Sequence, residues 1–201
     1  MLKIDYILLF MIFCYLTPII LVYSRYNSNG SVSNIICNDE CKNTILFFML
    51  LMGGGTLLYE NERNDTISTI LIFLLLLGIY GLISINETNK IHYIFTSLVF
   101  ITIICFMIRH LTIVGTNEFT GENLESHTQA ILSFSVIPFR KIWSLPPLFV
   151  PLILSFLLEL MGLIYIIINI HGNIFFAEIF YILNFAFFYL YLHFLSFHSP
   201  E

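Results

Sequence analysis

Charge is scarce in this chain. Only 10% of its 201 residues are Asp, Glu, Lys or Arg, against about 25% in a soluble domain. Too few charged side chains remain to cover a water-facing surface, which excludes a soluble globular protein. Basic residues are scarcer than acidic ones, 8 against 13, and the net charge of −5 excludes nucleic acid as a partner. Cysteine is limited to four residues. Cys14 and Cys105 lie inside apolar runs and read as packing residues. No internal repeat breaks the apolar bias, and the length suits one bundle with no separate soluble domain.

Apolar residues fill the space that charge leaves. They make up 58% of the chain, and the mean hydropathy is +0.90. Their distribution predicts an all-α fold, an integral membrane bundle of six transmembrane helices over about 4–23, 44–59, 67–83, 92–108, 148–170 and 174–195. The first run follows Lys3 and precedes Arg25. It is too long for a signal-peptide core and has no small-residue cleavage pattern, so it reads as a retained span with Pro18 as a kink. Gly53, Gly54 and Gly55 in the second run, and Gly78 and Gly81 in the third, let another helix approach closely.

Six spans put both termini on one face. Lys3, Arg63, Arg109, Arg140 and Lys141 share that face, while Arg25, Lys42 and Lys90 lie on the other. This bias predicts cytoplasmic termini. The first polar loop, the hinge from Ser84 to His92 and the short link at His171 then lie on the lumenal face. Cys37 and Cys41 in the first loop are candidates for a disulfide if that face is oxidising. A zinc site there needs two more ligands, and none is near in sequence. Of the sequons at Asn29, Asn64 and Asn86, Asn64 falls on the opposite face and Asn86 sits close to the bilayer, leaving Asn29 as the glycosylation candidate.

The polar hinge joins two long apolar runs, so Ser84, Glu87 and His92 meet at one membrane face. Two readings stand open. In one they are chemical, with His92 as acid or base beside Glu87 and Ser84 as nucleophile of an acyl-transferring triad. In the other they are interfacial caps, with His92 bonding backbone at a helix start. An ionisable residue inside a span costs about 2.5–3.5 kcal/mol on insertion scales. Glu159 and Glu178 therefore face the bundle or a wet cavity, or are protonated, and Glu178, within about a turn of the lumenal face, joins Asn184 and His171 as the lipid-binding candidates. Glu159, deeper in the fifth run, takes no assigned role. His193 and His198 read as interfacial residues of a frayed end. A zinc-dependent lipid hydrolase would draw histidines from several helices to one face. Here they fall on both faces, so no metal and no cofactor is expected.

The pattern Ser84-x-x-Glu87-x-x-x-x-His92-x-x-Phe95 after a glycine-containing span resembles the six-span family named after the DRAM autophagy modulators and the FGF-receptor-activating protein. The likeness is nearer to the branch of the post-GPI-attachment remodelling factor two and the N-terminal part of the fungal cell-wall protein that remodels GPI lipids. The Ser-rich loop at Ser31-Val32-Ser33 and the stretch Glu178-Ile179-Phe180 with Asn184-Phe185-Ala186-Phe187 resemble further signatures of that branch. The resemblance implies a Golgi or endoplasmic-reticulum protein engaged with membrane lipid and GPI-anchored proteins. Its step would restore a saturated chain to a lyso-GPI intermediate. Two alternatives remain: a non-catalytic lysosomal modulator, as in the wider family, and a small-solute or lipid transporter using Glu159 and Glu178 as coupling sites.

Overall fold

The computed structural model describes residues 3–26, 31–38, 41–63, 65–85, 89–120, 149–169 and 172–197. Helices account for nearly all of them: α1 (Lys3–Ser24), α2 (Val32–Asn38), α3 (Lys42–Arg63), α4 (Thr66–Ser84), α5 (Lys90–Thr120), α6 (Val150–Ile168) and α7 (Phe175–Phe197). Six of these, all but the short α2, are long and apolar enough to cross a membrane. The protein is an integral membrane bundle, and α1 and α7 place both ends of the described chain on one face, called here the terminal face. The second span, expected over 44–59, occupies Lys42–Arg63. The fourth, expected over 92–108, continues as helix to Thr120.

The spans pack in chain order, α1 on α3, α3 on α4, α4 on α5, α5 on α6 and α6 on α7. The ring closes where α7 returns to α1. These two helices meet through side chains more than through close backbone packing. Asp5 faces His193 near the terminal face, the Tyr15 hydroxyl donates to the Ile182 carbonyl at 2.6 Å in the middle, and the Tyr26 ring lies 4.4 Å from that of Phe175 at the hinge face.

The helix boundaries have local causes. Asp65 caps α4: its carboxylate accepts from the backbone N–H of Ile67 and of Ser68, an arrangement worth about 1 kcal/mol. Asn89 opens α5 in the same way, accepting from Ile91 N–H at 3.0 Å. Pro151 stands in the first turn of α6, where its missing N–H costs nothing. Between α4 and α5 the contact depends on glycine. A Cβ on Gly81 would lie 2.3 Å from the Phe95 ring, and one on Gly78 would lie 2.8 Å from Val99. The main core lies inside the ring and includes Met11, Tyr59, Phe106, Met107, Phe188 and Leu192. A second, smaller cluster at the hinge face is built from Val22, Val32, Ile45, Ile83 and Phe175. Through it α2 docks its apolar side across the ends of the surrounding spans.

Candidate functional site: an apolar chamber and its polar ends

The ring does not fill completely. A cavity of about 470 Å³ runs through it, walled by α1, α3, α4, α5 and α7. Its sides are apolar, with Met11, Ile19, Met49, Ile79, Val99 and Phe185 among them. At the hinge end α2 contributes Val32, Ser33 and Ile36, and α7 contributes Glu178. The Glu178 carboxylate accepts a hydrogen bond from the Val32 backbone N–H at 2.5 Å. This latch ties the start of α2 to α7 across the mouth. Ser31 reinforces the turn, its hydroxyl accepting from Asn34 N–H at 3.0 Å. The result is an oily chamber with a carboxylate at one end.

Glu178 therefore lines the hinge end of the cavity. His92 is buried in the hinge instead and does not line the cavity. Its Nδ1 lies 3.0 Å from the Ile85 carbonyl, so Nδ1 carries the hydrogen and donates it, since a carbonyl can only accept. Ile85 ends α4, and the imidazole thus pins the end of one span to the start of the next. Ser84 is exposed at the last position of α4, and no hydrogen bond joins it to His92. Asn184 lies about 9 Å deeper than Glu178, six residues along α7. It is buried among polar groups of α6 rather than at the mouth. Glu87, His171 and Asn29 lie outside the described residues, as does the side chain of Cys37. The sulfur of Cys41 takes a contact from the Arg25 guanidinium at 3.7 Å.

Behind the chamber wall, α6 and α7 share a polar seam at mid-depth. The Asn184 amide donates to Glu159 Oε2 and to the Ser155 carbonyl at 2.8 Å, and its oxygen accepts from the Ser155 hydroxyl at 3.0 Å. These bonds explain why Asn184 is buried: it supplies the donor that the Glu159 carboxyl needs.

A second polar assembly lies at the terminal face, and sequence reasoning missed it. The buried imidazole of His193 bridges Tyr59 and Asp5, with Nδ1 2.7 Å from the Tyr59 hydroxyl and Nε2 3.3 Å from Asp5. The Tyr189 hydroxyl donates to the buried carboxylate of Glu60. Arg109 forks onto both oxygens of Asp65, at 2.7 and 3.2 Å, and Ser68 links Asp65 to His110. Burial alone would push the Asp65 carboxyl up. The hydrogen bonds from Arg109 and Ser68, with the guanidinium charge, outweigh it and hold the carboxyl down at about 2. The expectation that His193 belongs to a frayed end is corrected here. The helix continues past it, and Asp5 from α1 and Tyr59 from α3 enclose the ring. Asp5, inside an otherwise apolar first run, was the signal that a partner awaited it.

Chemically, the arrangement offers an apolar space with a carboxylate at one end and a hydrogen-bonded polar assembly at the terminal face. Among the described residues no nucleophile, base and acid converge on the cavity. No protein-family model, no curated protein and no solved structure matches this chain.

Proposed function

We propose that this protein handles membrane lipid, holding one acyl chain in the chamber with the head group at the Glu178 end. The observation that carries the reading is the cavity itself. Its volume of about 470 Å³ falls within the roughly 300–1,000 Å³ of small-molecule sites. Its walls are mostly apolar, with a few hydroxyls such as Thr56 and Thr96, and its carboxylate lies at one end rather than in the middle. A water-soluble solute would find few hydrogen-bonding partners along such walls. Within the lipid class, the resemblance to GPI-lipid remodelling factors makes a lyso-GPI intermediate the first substrate to test, in a Golgi or endoplasmic-reticulum membrane.

The test has a general and a specific arm. Native mass spectrometry of the protein in nanodiscs is expected to show a retained lipid. Ala186→Phe, which places a ring in the chamber wall, is expected to lose that lipid while the protein stays folded. A chamber that retains none in either form overturns the lipid reading. Deletion of the gene is expected to change the fatty-acid composition of GPI-anchored proteins. Unchanged chains would remove the GPI assignment and leave the general one standing.

A further inference from the structure

Glu159 has no place in that reading. It stands at the centre of α6, about 14 Å of helix rise from either end, and its exposure is 0%. No basic side chain among the described residues reaches it. The basic residues of the chain all lie near span ends or between spans, and the described ion pairs join Arg109 to Asp65 and His193 to Asp5. Asn184 satisfies Oε2. Oε1 is buried with no hydrogen-bond partner. So is the hydroxyl of Tyr181, one turn before Asn184 on α7 and 2% exposed. Two buried oxygens without partners thus belong to the α6–α7 contact, where the Tyr181 ring packs on Gly162 and the Ser155 hydroxyl meets the Asn184 amide oxygen.

We infer that this seam is a binding site for a single monovalent cation, a proton or a sodium ion, centred on Glu159. A lone carboxylate at this depth is costly, and one positive charge neutralises it. Its neighbours provide the other oxygens: Ser155 and Asn184, which touch each other, and Tyr181. A divalent ion is disfavoured, because calcium or magnesium sites use more oxygens and more carboxylates than this seam holds. The titratable groups that face Glu159 electrostatically are Tyr15 from α1 and Tyr181 from α7. From α5 none does, since that helix carries no titratable residue between Tyr93 and Cys105. The inference does not depend on what fills the chamber.

Dicyclohexylcarbodiimide, which enters bilayers and modifies buried carboxyls, tests it on the full chain in nanodiscs, with the modified residue mapped by mass spectrometry. Labelling at Glu159 is expected in the wild type and absent in Glu159→Gln. Protection by sodium, but not by choline at equal ionic strength, identifies sodium. Labelling that rises as pH falls, indifferent to sodium, identifies a proton. Tyr181→Phe keeps the carboxyl and removes one oxygen, and is expected to shift the sodium or pH midpoint by about five-fold, the worth of one hydrogen bond. Should Glu159→Gln fail to fold, the Tyr181→Phe shift still decides. A Glu159 that is never labelled, or is labelled at a rate blind to both pH and sodium, overturns the proposal.

Discussion

Gly81→Ala is the sharpest test of the packing that sets the bundle's shape. The added methyl carbon would lie 2.3 Å from Cγ and Cδ1 of Phe95 and 2.6 Å from Cδ2. Ordinary carbon contacts are about 3.5–4.0 Å, so the ring must retreat by more than about 1 Å. The two helices are themselves close at this level. One turn away, the Cβ position on Gly78 already faces the Val99 amide nitrogen at 3.3 Å and the Phe95 carbonyl at 3.4 Å, and backbone does not yield as a side chain does. Overpacking of this kind costs about 1–3 kcal/mol. Replacing glycine in a helix returns about 1 kcal/mol through lower backbone entropy in the unfolded chain. The expected net loss is about 0–2 kcal/mol. Gly54→Ala is the control, because a Cβ there meets nothing within 4 Å, and it should be neutral or stabilising by up to about 1 kcal/mol. Equilibrium unfolding by sodium dodecyl sulfate in mixed micelles reads both. In a Phe95→Ala background the Gly81→Ala penalty should disappear, giving a coupling of about 2 kcal/mol. If Gly81→Ala is as stable as Gly54→Ala, the close approach of α4 and α5 is wrong, and so is the chamber wall built on it.

Other outcomes follow from the same contacts. Arg109→Ala strips Asp65 of a two-pronged partner and should cost about 2 kcal/mol, largely recovered in Arg109→Ala/Asp65→Asn, as a double-mutant unfolding cycle would show. The depressed Asp65 carboxyl stabilises the fold fully above its ordinary value of about 3.9. That contribution should fade as pH falls toward about 2, so the wild type and Asp65→Asn should differ at neutral pH and converge in acid melts. Glu178→Ala removes the acceptor for Val32 N–H, and faster hydrogen exchange confined to α2 would mark the released latch. His193→Phe keeps the ring volume but leaves Asp5 and Tyr59 without the imidazole between them. It should lower stability by about 1–3 kcal/mol, whereas a side chain at a frayed end would register no change.

The spans were legible in the sequence because lipid imposes one simple rule, an unbroken apolar run per crossing. The end of the bundle at which Glu178 lies was legible for the same reason, but its bond to Val32 of α2 was not. The polar lock at the terminal face was not. Asp5, Tyr59, Asp65, His110 and His193 come from different helices, and each, taken alone near the end of its run, passes for an interfacial residue. The closure of α7 on α1 and α3 shows Asp5, Tyr59 and His193 as partners, and the α4–α5 contact does the same for Asp65 and His110. Glycine was legible in kind but not in detail. Gly78 and Gly81 do admit α5, whereas in the Gly53–Gly55 run the approaches are by the Leu76, Met11 and Phe10 side chains, and Gly54 faces open space. Spacing marks where a helix can be approached, but the crossing geometry decides where it is. His92 showed the converse ambiguity. The sequence left a choice between acid–base chemistry and capping, and its bond to Ile85 is of the capping kind.

The wall shared by α1 and α7 also has a history. The bond from Tyr15 to Ile182 spans 167 positions of chain, so α1 must wait for α7 to be made. In the interval α1 stands in lipid with Asp5 and Tyr15 lacking their final neighbours, and the other helices form an open crescent. Contacts this distant are slow to form, because loop closure comes before any reward. A lesion confined to α7 would therefore leave the other spans with their interior bared to the membrane. Such a form is prone to misassembly, because polar groups and interior surface are bared together.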